Sequence, residues 1–163
     1  MKILLFTLLL LSFIQAKSIS LLLPHQYDAA VHQLNSHLMH AKSHVTLLTP
    51  HLQSHALKKS LLALIKKSIT VTLITTSKHH MATELVQYEN IKFYLLKNRA
   101  LNFSLIIIDD KFTCKLSAAL DEKSMKSELS FFECSDVKYM IEDSKKILRA
   151  VTPHIEPYLK ENF

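Results

Sequence analysis

Short apolar runs alternate with helical spacing along the chain. Residues 19–23, 45–48 and 69–75 are apolar or β-branched, and Pro24 and Pro50 bound the first two runs, which is typical of buried strands. Between those two runs, apolar residues recur at four-three-four-three spacing and predict one face of a helix: Tyr27, Val31, Leu34, Leu38 and Ala41. The order strand, helix, strand predicts a βαβ unit.

A second amphipathic helix is predicted after this unit. Ser54 is a good N-cap residue, and an apolar stripe through Leu57, Leu61 and Leu64 follows it. Four lysines lie off the stripe: Lys58, Lys59, Lys66 and Lys67. They indicate either a surface for nucleic acid or anionic lipid, or an ordinary solvated face.

The rest of the chain predicts more strands and a closing helix. Strand patterns cover residues 91–96, 105–109, 112–116 and 129–134. A short helix is expected over 81–88 and an amphipathic one over 137–148. The run at 105–109 is apolar up to its final acid, which predicts a central strand buried on both faces. The predicted class is α/β, with a mixed, largely parallel β-sheet flanked by helices.

The first 16 residues have the composition of a secretory signal peptide. Lys2 supplies a short positive segment, residues 3–11 are almost purely Leu, Ile and Phe, and Ala16 is a small residue at a cleavage position. Because Ile14 is bulky for such a site, a retained membrane anchor is the alternative. We therefore expect an exported protein, periplasmic or secreted, or one anchored through residues 1–16, with one domain over residues 17–163.

Export also bears on the two cysteines, Cys114 and Cys134. An even number of cysteines in an oxidising compartment favours a structural disulfide, with two buried free thiols as the alternative. The bridge would close a loop of about 20 residues and stabilise the fold by roughly 3 kcal/mol in the chain-entropy model.

The composition excludes several classes of binding site and indicates the charge of a partner. The 163 residues include no Gly, which excludes a Walker phosphate loop, a dinucleotide-binding turn, a nucleophile elbow and an EF-hand loop. The chain carries 20 Lys and Arg against 14 Asp and Glu, a net charge of +6. Removal of Lys2 with the leader makes the charge one less positive. This balance favours a polyanionic partner.

The order of elements resembles the phospholipase D superfamily, in particular its small single-motif members, which include bacterial endonucleases. The matching stretches are residues 21–76, 90–118 and 127–136. The family motif H-x-K-x-x-x-x-D falls on residues 102–109, where the strand and Asp109 match but Asn102 replaces the His and Ser104 replaces the Lys. The family has a Gly-Ser turn after this motif and a Glu further on. Ser117 matches the Ser of the turn, and Glu128 matches the Glu.

The resemblance implies a phosphodiesterase fold without cofactor, in which a His attacks phosphorus, a second His protonates the leaving oxygen and the Lys holds the phosphate. Asn102 cannot act as that nucleophile, and Ser104 supplies no positive charge. The resemblance therefore implies a pseudoenzyme, and a homodimer as in other single-motif members. With its partners replaced, Asp109 is expected to serve a strand-ending turn.

Two loops after predicted parallel strands carry candidate ligand-binding residues: His51, His55, Lys78, His79 and His80. If both strands are parallel, the four histidines share one rim with two helix N-termini and bind phosphate when protonated, or a metal when neutral. Polar loop residues that only cap or pack are the alternative. No metal site is assigned, because neither loop holds a carboxylate or Cys. His37, His40 and His44, predicted on the first helix, form either a metal-binding face or a solvated edge or part of a subunit contact.

The leading functional interpretation is an exported, catalytically degenerate phospholipase D-like protein that binds a phosphate-bearing partner, nucleic acid or anionic lipid. The first alternative is an active phosphodiesterase, nuclease or phospholipase, with a relocated nucleophile at His79 or His80. The second is a structural or interaction module of the cell envelope.

Overall fold

A computed structural model describes residues 18–158. The predicted leader over residues 1–16 lies outside the described residues. The helices are α1 (Tyr27–Met39), α2 (His55–Lys66), α3 (His80–Leu85), α4 (Glu122–Ser127) and α5 (Lys138–Val151), with a 3₁₀ turn at Thr152–His154. The strands are β1 (Ser18–Leu23), β2 (His44–Thr49), β3 (Leu52–Gln53), β4 (Thr70–Thr75), β5 (Ile91–Leu96), β6 (Ser104–Ile108), β7 (Phe112–Leu116), β8 (Leu120–Asp121), β9 (Ser130–Ser135) and β10 (Ile155–Pro157). Within 18–158, no helix is long and apolar enough to cross a bilayer.

Eight strands form one mixed sheet in the order β1-β9-β7-β6-β2-β4-β5-β10. The α/β class and the mixed sheet are as predicted, but β2–β4 and β4–β5 are the two parallel pairings among the seven described, so the sheet is not largely parallel. The expected βαβ unit is also corrected, because β1 pairs antiparallel with β9 and three strands separate it from β2. Periodicity identifies a strand but does not choose its partner.

The sheet is covered on both faces, and β6 is central as predicted. Successive side chains of a strand point to opposite faces. In β2 and β6, Leu47 and Ile106 join the large cluster under α1 and α2. Leu48 and Ile107 join a smaller cluster against which α5 packs. Every residue of β6 is buried, which explains the unbroken apolar run from Leu105 to Ile108.

Two helices are capped by side chains that the local sequence supplies. The Ser54 hydroxyl accepts the Leu57 N–H at the start of α2, as predicted, and the Asp121 carboxylate accepts the Ser124 N–H at the start of α4. The two-residue strands β3 and β8 pair parallel beside the main sheet. This small pairing was not predicted, because two residues carry no periodicity.

A disulfide joins Cys114 of β7 to Cys134 of β9, as predicted. The two residues face each other in the antiparallel register, and both side chains are buried against the large core cluster. The bond therefore links two neighbouring strands on the core side of the sheet.

We expect replacement of both cysteines by Ser to lower the free energy of unfolding by about 3 kcal/mol, because the unfolded chain loses the closed loop. Urea unfolding of the oxidised protein and of the double variant measures the difference. A reducing agent should destabilise the unmodified protein equally and leave the variant unchanged. Equal stability of the oxidised protein and the variant would contradict the expectation.

The turn after β6 is held by one carboxylate. Asp109 accepts hydrogen bonds from the backbone N–H groups of Lys42, Ser43 and His44 at 2.7, 2.8 and 3.0 Å, and from the Ser43 hydroxyl at 2.8 Å. Asp109 and Asp110 both adopt positive φ, at 51° and 56°, a conformation that Asp tolerates better than most residues. Asp109 is thus a strand-ending residue that also fixes the start of β2.

These contacts shift the titration of Asp109. Partial burial alone would raise the pKa of this carboxyl, but the hydrogen bonds from residues 42–44 outweigh it and lower the pKa from 3.8 to about 2. Because the folded pKa lies below the unfolded one, the stabilisation is complete above about pH 4 and is lost as the pH falls towards 2.

We expect Asp109→Asn to lower the free energy of unfolding by about 2 kcal/mol at pH 7, since hydrogen bonds to a charged acceptor are lost while tolerance of positive φ is kept. The difference from the unmodified protein should shrink below pH 4, as measured by urea unfolding across pH. The control is Asp110→Asn at an exposed carboxylate that pairs with His44 and Lys145, where we expect a change within about 0.5 kcal/mol. Equal losses from both variants would show that Asp109 has no special role.

Candidate functional site

The candidate site lies at one edge of the sheet. The parallel strands β2 and β4 end there at Thr49 and Thr75, and the antiparallel β6 begins there at Ser104. The loops after β2 and β4 are joined, because the backbone N–H and hydroxyl of Thr76 both donate to the Pro50 carbonyl, at 3.1 and 2.8 Å. The loops that follow the two parallel strands therefore lie side by side at this edge, as expected.

Ser104 is fully buried where the motif lysine would stand. Its hydroxyl donates to the Ala118 carbonyl at 2.7 Å and lies 2.8 Å from the Thr49 hydroxyl oxygen. The same Thr49 oxygen accepts the Leu120 N–H at 3.1 Å. We call Thr49 and Ser104 the hydroxyl pair. It joins β2, β6 and the segment before β8, and it carries no charge.

The other motif positions do not assemble around Ser104. Asn102 is exposed in the loop before β6, and Glu128 is exposed where α4 ends. Ser117 extends the β7–β9 pairing, because its hydroxyl accepts the Phe131 N–H at 2.8 Å. Asp109 lies at the opposite end of β6, in the turn described above. Of the positions that match the motif, Asp109 and Ser117 are therefore used for structural hydrogen bonds.

A different set of polar side chains meets at this edge. His51 Nε2 lies 3.0 Å from Asp121 Oδ2, and the Asp121 side chain is only 5% exposed. His79 Nδ1 lies 2.8 Å from the Gln53 amide nitrogen, and the rings of His51 and His79 are 5.0 Å apart. We call His51, Gln53, His79 and Asp121 the histidine cluster. The β3–β8 pairing brings it together, because Gln53 stands opposite Asp121.

The carboxylate of the cluster is held in its charged form. Burial alone would raise the pKa of Asp121, but the Ser124 N–H and hydroxyl and the His51 ring outweigh burial and lower it. Since an amide nitrogen only donates, the Gln53 contact places the ring proton of His79 on Nε2. The cluster thus combines a carboxylate-bound imidazole with a second imidazole that has a free N–H donor.

The remaining predicted rim residues lie around the cluster. Lys78 is exposed, with Nζ 5.3 Å above the Tyr158 ring. His80 is 88% exposed and pairs with Glu84, which also binds Lys58. The backbone N–H of His55 donates to Glu122 Oε1 at 3.2 Å. Of the predicted histidines, His51 and His79 are therefore adjacent, while His55 and His80 have separate partners.

Sequence reasoning missed Asp121 and Gln53. Asp121 precedes a short polar helix, so the sequence signals an N-cap, but only the three-dimensional pairing brings its second oxygen to His51. Gln53 carried no signal. Both residues depend on the two-residue strands that periodicity does not detect.

The expected helical face of His37, His40 and His44 is corrected. Helix α1 ends at Met39, so His40 follows the helix and His44 begins β2. His37 stacks on Phe112 at 3.8 Å between ring centroids, and burial, followed by repulsion from His40, lowers its pKa. Over residues 18–158, no group of three or more His, Cys, Asp or Glu is placed to hold a metal ion.

Comparison with known proteins identifies solved structures with a similar fold. No protein-family model matches the sequence. No curated protein matches it either. The fold is similar to NucT from Helicobacter pylori, with a TM-score of 0.78 and 19% identity over 88% of this chain and 100% of that one. It is also similar to Nuc from Salmonella typhimurium, a phospholipase D family member, with a TM-score of 0.73 and 11% identity over 90% of this chain and 100% of Nuc.

A third similar structure is TrmBL2, an archaeal chromatin protein with a novel mode of DNA binding. Its TM-score is 0.65, at 9% identity over 96% of this chain and 60% of that one. The two structures from Helicobacter and Salmonella are covered over their full length, and they share the mixed sheet flanked by helices described above. The chain therefore has the fold of the phospholipase D superfamily.

Proposed function

We propose that this protein is a catalytically degenerate phospholipase D-like domain that binds a phosphodiester-bearing partner without cleaving it. The observation that carries the proposal is the state of Ser104, which is fully buried and hydrogen-bonded to Ala118 and Thr49. A phosphate at this edge meets no lysine at that position.

The lost chemistry is specific. Phosphoryl transfer through a covalent intermediate requires an activated nucleophile, and the amide of Asn102 has no basic nitrogen. Stabilisation of the developing phosphoryl charge requires preorganised positive charge or donors, and the Ser104 hydroxyl already donates to Ala118. Nucleophile and charge stabilisation are therefore lost together.

The histidine cluster and Lys78 supply the proposed binding surface. They lie where the parallel strands β2 and β4 end, which is the usual ligand position in α/β sheets. The Nε2–H of His79 and the ammonium of Lys78 are donors suited to phosphate oxygens. The net charge of +6 and the similarity to a DNA-binding chromatin protein support a polyanionic partner.

A second candidate function is an active phosphodiesterase. The contact between His51 and Asp121 favours it, because a buried carboxylate orients an imidazole for proton transfer or attack. His79, 5.0 Å away between ring centroids, would then be the second histidine. We rank this function second, because no ammonium group replaces the motif lysine beside His51 among the contacts described.

Export and homodimer formation complete the proposal. The composition of residues 1–16 and the disulfide between Cys114 and Cys134 support export to an oxidising compartment, either periplasmic or extracellular. The homodimer follows only from the resemblance to single-motif members.

We expect no cleavage of a chromogenic phosphodiester or of labelled DNA by this protein, in EDTA or with added zinc, because nucleophile and motif lysine are both absent. Product release measured by absorbance and by gel tests this expectation. Turnover in EDTA that is lost in His51→Ala or His79→Ala, but kept in His32→Ala on the exposed face of α1, would instead establish the second candidate function.

We expect Lys78→Ser and His79→Ala each to weaken binding of a four-nucleotide single-stranded DNA by roughly five- to tenfold, which corresponds to about 1 kcal/mol for a charge-assisted or neutral hydrogen bond. Fluorescence anisotropy at low salt provides the measurement. The matched control is Lys92→Ser, which removes the same charge from an exposed position at the other end of the parallel strands.

Two results decide this expectation. An equal loss in Lys92→Ser would mean that only net charge matters and that the cluster is not the site. Binding to phosphatidylglycerol vesicles, but not to DNA, that depends on Lys78 and His79 would assign the site to a lipid headgroup.

A further inference from the structure

Helix α2 carries a basic groove beside the histidine cluster. The groove has a volume of about 360 Å³ and is lined by His55, Lys58, Lys59, Leu62, Ala63 and Lys66. Residues four, seven and eleven positions after His55 share one helical face with it. At 1.5 Å per residue, the line from His55 to Lys66 is about 16 Å long. The groove is therefore a linear, positively charged track.

The charges of the groove are only partly neutralised. Lys58 is bound to Glu84. Within residues 18–158, neither Lys59 nor Lys66 forms an ion pair, and both side chains are exposed. Two ammonium groups without an ion-pair partner among residues 18–158 thus flank the open groove.

The floor of the groove is apolar. Leu62 and Ala63 are half-buried between the lysines. A nucleic-acid strand presents anionic phosphates together with less polar sugars and base faces, and proteins that bind single strands combine a positive groove with surfaces for those faces. In a duplex the base faces are stacked inside, so a groove with this floor favours a single strand.

The groove continues from the histidine cluster. His55 follows Gln53, the cluster residue bonded to His79, by two positions. Lys58, one turn further along α2, binds Glu84, which also pairs with His80 next to His79. A strand that leaves the cluster therefore reaches the groove along α2.

The positions of exposed apolar side chains argue against a membrane at this surface. In the described part of the chain, the exposed large apolar residues lie on other elements: Leu22, Met39, Leu129, Phe131 and Tyr139. A surface that binds bilayers normally adds apolar side chains that insert below the headgroups. The sides of the groove are lysines, and none of the exposed large apolar side chains named above lines it.

We propose that the α2 groove binds the backbone of a single nucleic-acid strand whose adjoining nucleotides occupy the histidine cluster. This inference rests on the proposed function and names its partner as single-stranded nucleic acid. Lys59 and Lys66 contact phosphates, and Leu62 and Ala63 contact the sugar side of the strand.

The test compares two ligand lengths. At about 3.4 Å per nucleotide, a four-nucleotide DNA spans about 10 Å and reaches the cluster alone, whereas a twelve-nucleotide DNA spans about 37 Å and reaches both surfaces. The variants are Lys59→Ser with Lys66→Ser in the groove, and Lys138→Ser with Lys146→Ser as the charge-matched control. Both control lysines are exposed on α5, which packs on the other face of the sheet.

Each phosphate contact to single-stranded DNA contributes about 0.7 to the slope of log K against log salt. We expect the groove variant to reduce this slope by about 1.4 for the twelve-nucleotide DNA, while its affinity for the four-nucleotide DNA changes less than twofold. The control variant should change the slope by less than half as much. Thermal unfolding should be the same for both variants.

Every other outcome overturns the inference. An equal effect of the control variant would mean a general charge effect. Binding of the four-nucleotide DNA with no tighter binding of the longer DNA, or an unchanged slope in the groove variant, would remove the groove and leave the proposed function intact. A duplex bound more tightly than the single strand would exclude the proposed ligand. Failure of the unmodified protein to bind either DNA or a lipid vesicle at low salt would overturn the proposed function as well.

Discussion

The antiparallel pairing of β2 with β6 determines where the groups of the candidate site lie. It brings the end of β2, at Thr49, to the start of β6, at Ser104, so the loops that follow the parallel strands share an edge with the motif positions. At the other end of the same pairing, Asp109 binds the three N–H groups that precede and begin β2. Both ends of the central pairing are thus fixed by hydrogen bonds between polar side chains and groups distant in sequence.

This arrangement explains how Ser104 fits at the position that the family motif assigns to Lys. A buried ammonium group needs a counterion or a ligand, and without one its burial costs several kcal/mol. The hydroxyl of Ser104 instead finds partners within the protein, at Ala118 and Thr49. The edge is therefore stable without a bound phosphate. Any ligand contact must come from donors that the fold leaves free, such as Lys78 and the Nε2–H of His79.

The sequence was informative where a physical signal is local or periodic. The apolar faces of α1 and α2, the unbroken run of β6 and the disulfide pair were all predicted from such signals. The rim was predicted in part, because parallel strand ends bring His51 and His79 together. Asp121 was out of reach, since it is 70 positions from His51 and meets it only through the β3–β8 pairing. The partner of β1 was missed for the same reason, because strand pairing is not local.

The two parts of the proposed ligand surface differ physically, and the difference bears on what they do. The histidine cluster is directional: Asp121 fixes the ring of His51, and Gln53 fixes the proton position of His79. Hydrogen bonds of this kind position a phosphate but depend little on salt. The α2 lysines Lys59 and Lys66 are exposed charges, whose contribution arises largely from counterion release and is insensitive to sequence. In the role that we propose, one positioned phosphate and a salt-sensitive track together hold a strand in register without reading its bases, and this role requires neither a nucleophile nor a metal.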